Sequence, residues 1–311
     1  NGVVTDENKN TVTTVVTDIV TYKMPNKNAT ETIPVIADSF PADGEYIVQA
    51  LVEDIAGNKY DKPKQFSFFI DRTAHTIENN TYTISEDENS PILNFKPFGI
   101  FTNKDFTISF KVKEEISGIT ANNIILYFND EDETGFAATK KGNEYTITVK
   151  ADKIINRKGI PRIELTDKIG NTSVYYFTTG KGILTTDEKL STSLMVENIK
   201  PTASVVLPPD YIELNGVKWY SDDINYTVYA ADVDSEKFPD MISGLSNATI
   251  TENHQPTPDT PYVTTDIYKS ISDSTLPAEQ KYVASTTYTQ AITQEGNYTI
   301  VAEAVDNAGN I

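Results

Sequence analysis

The fold is decided by the stretch Gly44-Glu-Tyr-Ile-Val-Gln-Ala-Leu-Val-Glu-Asp-Ile-Ala-Gly-Asn58. Its pattern returns near the C-terminus as Gly296-Asn-Tyr-Thr-Ile-Val-Ala-Glu-Ala-Val-Asp-Asn-Ala-Gly-Asn310. In both copies apolar residues stand two apart, starting at Tyr46 and at Tyr298. This alternation is the period of a β-strand with one buried face. The sequence therefore predicts a repeat protein built from strands.

Each of the two strands runs into an Asp-x-Ala-Gly-Asn turn, at residues 54–58 and 306–310. Glycine adopts positive φ easily, and Asp and Asn side chains bond nearby backbone amides, so this pentapeptide predicts a chain reversal. The return strand of the first copy is predicted at residues 65–70. Tyr46 and Tyr298 are each predicted to fold their hydroxyl back onto backbone a few residues upstream, as a corner tyrosine does in β-sandwiches.

The repeating unit has the length of a whole domain. His75 pairs with Pro201 and Gly118 pairs with Gly244, and each pair is 126 residues apart (201 − 75 and 244 − 118). The two copies of the opening stretch differ by twice that spacing, and solenoid repeats have periods of only about 20 to 50 residues. The predicted domains are 1–73, 74–200 and 201–311, joined by short linkers at about 71–76 and 197–203.

The first and third domains are expected to be incomplete. Asn1 aligns just after the Ile-Ser-Gly of the other two copies, so residues 1–73 correspond to the C-terminal half of a domain. The third copy reaches residue 311 directly after its turn, without an equivalent of residues 65–70. Unpaired strand edges expose amides and carbonyls, so we expect the missing strands in flanking sequence or on a neighbouring chain.

The motif resembles the bacterial immunoglobulin-like (Big-type) repeats that occur in tandem in large cell-surface or secreted proteins. The resemblance rests on the opening stretch, the Phe-rich strand that follows it and the junction Ile70-Asp-Arg-Thr-Ala74. It implies an all-β fold of immunoglobulin-like β-sandwich domains arranged end to end. The middle copy departs from the pattern, because Gly159 stands eight residues before Asp167, where a tyrosine is expected.

The resemblance also implies a function and a location. We expect a structural stalk or adhesin segment that spaces and presents a binding region, outside the cell at a bacterial surface or in a secreted protein. The implied partners are neighbouring immunoglobulin-like domains and host or cell-wall glycans or proteins. The alternative is an accessory module, carbohydrate-binding or linking, of a secreted multidomain enzyme. A row of exposed aromatic side chains on one sheet face would favour that alternative.

Composition and charge exclude several classes of function. The chain carries 45 acidic and 26 basic residues, a net charge of −19, so it repels nucleic-acid backbones and anionic lipid surfaces. No apolar run approaches the length of a membrane span, so no membrane insertion is expected in this segment. Cysteine is absent, which excludes disulfides, thiolate nucleophiles and cysteine zinc sites.

No residue is assigned to catalysis, and the chain is not expected to be an enzyme. His75 falls in a domain junction and His254 in a predicted Pro-rich loop, with nothing to pair them. A Gly-x-Ser-x-Gly elbow is also absent. Trp219 is expected to be buried in a sandwich core, and residues 187–194 are the expected site of a short helix.

No cofactor is expected, although two patterns of acidic residues are possible calcium sites. The acidic run 129–135 fits positions one, three, five and six of a calcium loop, yet Lys141 occupies position twelve, where a glutamate is needed. The residues on either side of this run have the pattern of strands and not of helices, so a solvated hairpin loop is the better interpretation.

The second kind of calcium site is implied by the family resemblance, in which aspartates near domain ends hold the ion. The aspartates in such positions are Asp54, Asp71, Asp167 and Asp306. A simpler role is favoured for three of them, since Asp54, Asp167 and Asp306 each open a turn whose amides they can bond. The sequence therefore assigns no metal ligand, and calcium at the junctions stays open.

Overall fold

The fold is described from a computed structural model of the 311-residue chain. Strands dominate it, as the alternating patterns predicted. The structure describes residues 2–5, 11–14, 40, 42–50, 56–59, 61–62, 64–85, 92–113, 116–128, 135–180, 184–234, 237, 240–255, 262–270 and 282–311.

The strands are numbered in chain order. Those of the first part are β1 (Gly2–Thr5), β2 (Thr11–Thr14), β3 (Gly44–Ala50) and β4 (Lys64–Ile70). The middle part contains β5 (Thr76–Ile77), β6 (Thr83–Ile84), β7 (Asn94–Lys96), β8 (Gly99–Thr102), β9 (Phe106–Lys113), β10 (Ile124–Tyr127), β11 (Gly135–Lys141), β12 (Glu144–Val149), β13 (Arg157–Gly159), β14 (Arg162–Thr166), β15 (Thr172–Phe177), β16 (Leu184–Thr185) and β17 (Leu194–Val196). The last part contains β18 (Thr202–Val206), β19 (Ile212–Leu214), β20 (Val217–Trp219), β21 (Ile224–Ala231), β22 (Leu245–Gln255), β23 (Val263–Lys269), β24 (Ser285–Ile292) and β25 (Asn297–Asp306).

Helical structure in the described residues is limited to three 3-10 turns, at Ala121–Asn123, Ala151–Lys153 and Glu188–Leu190. None of these turns has the length and apolar character to cross a membrane. The helix expected at residues 187–194 is reduced to the last of these turns, which Asp187 caps by accepting the Lys189 amide at 3.0 Å. The backbone becomes extended at Ser191 and then continues into β17. The described chain is therefore all-β.

The chain divides into two compact units. The first unit comprises Asn1–Thr76, Lys113–Thr120 and Leu165–Ser173, and the second comprises Ile77–Val112, Ala121–Glu164 and Val174–Ile311. The three domains expected from the 126-residue spacing stay a prediction.

The first unit contains the opening stretch and its return strand. β3 pairs antiparallel with β4, from Gly44 opposite Ile70 to Ala50 opposite Lys64, so the predicted hairpin partner is confirmed. The Tyr46 hydroxyl donates to the Ala42 carbonyl at 2.6 Å, which confirms the predicted corner. The Tyr46 ring is buried against Phe68, with ring centroids 5.8 Å apart.

The middle part of the chain forms one long sheet and one short sheet. The long sheet has the order β16-β15-β14-β10-β11-β12-β9-β5, with β6 also paired to β9. The short sheet has the order β13-β17-β8-β7. Alternate residues of β9 are buried, as a strand with one inner face requires. The largest fully buried side chains of this part are Phe106, Phe110, Phe128, Tyr145 and Phe177.

The last part of the chain forms two three-stranded sheets that share a core. Their orders are β18-β21-β24 and β23-β22-β25. Tyr226 and Val228 from the first sheet pack with Ile250 from the second, so the inner faces of the two sheets meet. β25 pairs with β22 along its whole length, and its alternating burial matches the predicted period.

Two expectations for side chains in this part were wrong. Trp219 is 58% exposed, because β20 pairs only with β19 in a two-stranded hairpin that contributes no buried residue. His254 lies within β22 and not in a loop. Its ring stacks on Tyr298 with centroids 4.3 Å apart.

The corner tyrosine of the C-terminal part gives a stability test. The Tyr298 hydroxyl donates to the Gln294 carbonyl at 3.1 Å, as predicted. We expect Tyr298→Phe to lower the free energy of unfolding by about 0.5–1 kcal/mol, the net value of one hydrogen bond. Tyr229→Phe, on an exposed ring of β21, is the control and should change it by less than about 0.5 kcal/mol. Equal losses in calorimetry would show that Tyr298 anchors nothing.

Candidate metal centre

Three carboxylates meet inside the second compact unit. Glu197 directly follows β17, Asp232 directly follows β21, and Asp306 is the last residue of β25. One oxygen of each lies within 4.8 Å of the others, and we call this group the acidic triad. The three residues are 0%, 3% and 1% exposed. Charged groups are almost never buried this completely without a partner.

The backbone of Glu197 is held on both sides. Its amide donates to the Thr102 carbonyl at 3.0 Å, which continues the pairing of β17 with β8 by one residue. Its carbonyl accepts from the Asn310 side-chain amide at 3.3 Å. The position of the Glu197 side chain is thus set by the end of one sheet and by the C-terminal turn.

Asp306 enters the triad as the first residue of the Asp-x-Ala-Gly-Asn turn. Its two carboxylate oxygens accept the backbone amide and the side-chain amide of Asn310, both at 2.8 Å. Gly309 supplies the positive φ of +92° on which the turn depends. The predicted turn role of Asp306 is confirmed, and the same carboxylate also faces Glu197 and Asp232.

Asp232 is only partly satisfied by hydrogen bonds. Its Oδ2 accepts the Gly244 amide at 2.6 Å and the Ser243 hydroxyl at 3.3 Å. Its Oδ1 is buried and has no hydrogen-bond partner among the described residues. Gly244 has a φ of +85°, and a Cβ there would approach the Tyr282 ring to 2.8 Å, so this backbone position fits only glycine.

Glu197 is the least satisfied member of the triad. Both of its carboxylate oxygens are buried, and neither has a hydrogen-bond partner in the described chain. The hydroxyl and amide of Ser243 lie close enough to lower its pKa somewhat, but they do not reach hydrogen-bond geometry. No lysine or arginine of the described residues forms an ion pair with the triad. A buried carboxylate without hydrogen bonds or an ion pair destabilises the folded state unless it binds a proton or a cation.

The electrostatic environment favours protonation of the acidic triad. Burial, and next the charge of Asp232, raises the pKa of Glu197 to about 8. Burial raises the pKa of Asp232 to about 6, with a further contribution from Asp306. Burial also raises the pKa of Asp306, although its bonds to Asn310 oppose the shift. Carboxyl groups that crowd one another in this way bind protons tightly when nothing else neutralises them.

The donor set suits a hard divalent cation. All three side chains offer oxygen, the ligand type that calcium and magnesium prefer, and none offers the imidazole or thiolate of most zinc sites. Calcium accepts six to eight oxygens in flexible geometry at about 2.3–2.6 Å. Both oxygens of Glu197 and one of Asp232 have no hydrogen-bond partner among the described residues and can face such an ion. Asp306 can add a ligand because each oxygen of a carboxylate has a second lone pair beside the one that accepts an Asn310 amide.

Asp71 and Asp167, two of the aspartates near the predicted domain ends, lie outside the acidic triad. Asp71 accepts the backbone amides of Thr73 at 3.1 Å and Ser117 at 2.8 Å. Asp167 accepts the backbone and side-chain amides of Asn171, both at 2.8 Å, so its predicted turn role is confirmed. The Asn171 side chain also donates to the Asp71 carbonyl at 3.3 Å. The carboxylates of Asp71 and Asp167 therefore already accept hydrogen bonds from backbone and side-chain amides.

Two further predictions fall partly outside the described residues. Asp54 lies outside them, as do residues 129–134 of the acidic run. The flanks of that run are the antiparallel strands β10 and β11, which confirms the predicted hairpin.

Sequence reasoning missed Glu197 and Asp232, although a signal for Glu197 was present. The 126-residue spacing that pairs Gly118 with Gly244 also pairs Asp71 with Glu197 (197 − 71). An acidic residue at the same point of two repeats is the observation that could have located this site. Asp232 has no comparable signal at that spacing, because residue 106 is a phenylalanine.

Comparisons with known proteins add little to this site. No protein-family model matches the chain, and no curated protein matches it. A similar solved structure is that of a DUF4785 family protein from Legionella pneumophila subsp. pneumophila. The two share 9% identity and a TM-score of 0.22, over 66% of this chain and 44% of that one. The chain spans less than half of that protein, and a similarity this low carries no argument.

The raised pKa values predict how stability depends on pH without metal. Folded Glu197 keeps its proton up to about pH 8, whereas its ordinary pKa is 4.5. Stability in chelator should therefore fall as pH rises from about 5 to 8, by at most about 1.4 kcal/mol per pH unit for this group.

The check is thermal unfolding in chelator across this pH range, with Glu197→Gln as the test variant. The variant should lose less stability between pH 5 and pH 8 than the wild type. Glu213→Gln, on exposed β19, is the control and should follow the wild type. Parallel pH profiles for all three proteins would contradict the proposed protonation of Glu197.

Proposed function

We propose that this chain is a structural stalk or adhesin segment of a bacterial surface protein, built from tandem immunoglobulin-like domains. In this proposal a divalent cation, calcium before magnesium, binds Glu197, Asp232 and Asp306 and fixes the junction between the second and third domains. The observation that carries the proposal is the buried acidic triad, which forms no ion pair with a described lysine or arginine. It joins the end of the middle repeat to two strand ends of the last repeat.

The strand arrangement supports the immunoglobulin-like interpretation. In the last repeat two antiparallel sheets share one core, the general plan of a β-sandwich. The corner tyrosines at 46 and 298 bond backbone four residues upstream in two copies of the motif. The middle repeat lacks this tyrosine but keeps the turn that begins at Asp167.

Direct bonds join the middle and last repeats around the triad. The Asn94 side chain donates to the Asn307 carbonyl at 2.9 Å, and the Asn103 side chain donates to the Asn310 side chain at 3.0 Å. Both acceptors lie in the turn that Asp306 opens. The same turn therefore closes the third repeat, docks on the second and supplies a ligand of the proposed cation.

A small apolar cluster lies at the same junction. Phe101 and Met195 of the middle repeat are buried against Ala308 of the C-terminal turn. Burial of so few apolar side chains contributes little stability, since the gain scales with the apolar area removed from water. The carboxylates of the acidic triad that carry negative charge repel one another beside this contact, and a bound cation replaces that repulsion with attraction. The proposed cation thus decides whether the junction is rigid.

The proposed mechanism suits a spacer outside the cell. Tandem domains gain length for little buried surface, so the stiffness of a stalk depends on its junctions. Calcium sites in extracellular modules commonly have dissociation constants of about 10⁻⁴–10⁻³ M. A junction that binds calcium at such levels is rigid where calcium is abundant and loosens where calcium is scarce.

Calcium binding is tested by combining Glu197→Gln with Asp232→Asn. Calcium should raise the melting temperature of the wild type, since a ligand at 100 times its dissociation constant adds about 2.7 kcal/mol to stability. The double variant should not respond. The control pairs Glu213→Gln with Asp222→Asn at exposed positions and should respond as the wild type does.

Small-angle scattering with calcium and with chelator provides the second readout. The wild type should sample a narrower range of dimensions with calcium, because the junction is then fixed. If melting temperature and maximum dimension are both the same in the two conditions, the proposed junction site is wrong.

A second candidate function is favoured by the exposure of Trp219. Such a ring can stack on a sugar, as the accessory module of a secreted enzyme would require. On the same hairpin the exposed Ile212 lies opposite Trp219, and the rings of Tyr211 and Tyr220, directly beside the two strands, have centroids 6.1 Å apart. Because Trp219 is the only tryptophan, its fluorescence reports directly on added cell-wall polysaccharides. An unchanged spectrum at saturating glycan would eliminate this candidate.

A further inference from the structure

A small pocket lies within the second compact unit, where the short sheet of the middle part meets the last part of the chain. Its volume is about 260 Å³, below the roughly 300–1,000 Å³ of pockets for drug-sized ligands. None of the three carboxylates of the acidic triad lines it. The pocket is therefore separate from the candidate metal centre and fits only a small molecule.

One side of the pocket is a row of side chains across the short sheet. Lys158 of β13 lies opposite Met195 of β17, and Met195 lies beside Phe101 of β8. Residues in register on neighbouring strands point to the same face of a sheet. Met195 and Phe101 are buried, whereas Lys158 is exposed on the edge strand β13. The row therefore places a cation at the rim of an apolar surface.

Three aromatic rings line the apolar part of the pocket. The Phe98 ring contacts the other two, with its centroid 5.5 Å from that of Phe101 and 5.7 Å from that of Tyr282. A Cβ at Gly99 would approach the Phe101 ring to 3.0 Å, so this glycine leaves room for the ring. Gly244 does the same for Tyr282, since a Cβ there would approach the ring to 2.8 Å. The local sequence thus positions the rings before any ligand binds.

Two exposed side chains of opposite charge, Lys158 and Asp240, also line the pocket. Neither forms an ion pair with another described residue. Asp240 has a φ of +67°, which is uncommon for a residue other than glycine and is found most often at functional sites. A purely anionic ligand would be repelled by Asp240, and a purely cationic one by Lys158. The two charges together therefore select a ligand that carries both signs.

We propose that this pocket binds a small zwitterion, namely a free amino acid with an apolar side chain. Asp240 accepts hydrogen bonds from the ammonium group of the ligand, and Lys158 donates to its carboxylate, so both bonds are charge-assisted. The side chain of the ligand packs against the three rings, and an aromatic side chain fits them best. The inference depends on this pocket and not on the cation proposed for the acidic triad.

The first experiment titrates the full chain with L-phenylalanine by calorimetry, and saturable binding at a single site is expected. N-acetyl-L-phenylalanine lacks the ammonium group, and L-phenylalanine amide lacks the carboxylate. Each should bind weaker by about tenfold or more, because each leaves one charge of the pocket without its partner. The inference is overturned if L-phenylalanine does not saturate the chain at millimolar concentration or if either derivative binds as tightly. Tighter binding of phosphocholine, a zwitterion of another class, would overturn the assignment to amino acids.

The second experiment assigns each charge of the ligand to a residue. Asp240→Asn should no longer distinguish L-phenylalanine from its N-acetyl derivative, and Lys158→Gln should no longer distinguish it from the amide. Both side chains are exposed, so neither change should affect folding. Asp210→Asn and Lys200→Gln, at exposed positions outside the pocket, are the matched controls and should bind as the wild type does. If the two pocket variants keep the preferences of the wild type, the ligand does not bind between these charges.

Discussion

The carboxylate of Glu197 is fully buried and has no hydrogen-bond partner among the described residues, and two more carboxylates lie within 4.8 Å of it. Burial of such a group is tolerated only if a proton or a cation neutralises it. The backbone bonds that position Glu197 reach Thr102 on one side and Asn310 on the other. Neutralising the triad therefore stabilises the C-terminal turn and the end of β17 at the same time.

One turn sequence has different roles in different repeats. At Asp167 the turn leads directly into β15, and the carboxylate is occupied by the amides of its own loop. At Asp306 the same loop bonds are present, but the turn also docks on Asn94 and Asn103 and faces Glu197. A repeated motif can thus be a plain structural turn in one place and part of a buried acidic cluster in another.

The strands could be predicted from the sequence because their cause is local. Alternation from Tyr46 and from Tyr298 predicted β3 and β25, and the Asp-x-Ala-Gly-Asn turn predicted the β3–β4 hairpin. The triad could not be predicted in this way, since its members are brought together from three strand ends by tertiary packing. Trp219 was misjudged for a related reason, because burial depends on whether a hairpin packs against a sheet, and β19 and β20 do not.

The most direct measurement of the central claim is a crystal structure of the full chain soaked with a lanthanide that replaces calcium and scatters anomalously. The account predicts an anomalous peak at about 2.3–2.6 Å from carboxylate oxygens of Glu197, Asp232 and Asp306. A triad without a peak, at lanthanide concentrations that label other acidic sites such as residues 129–135, would contradict it.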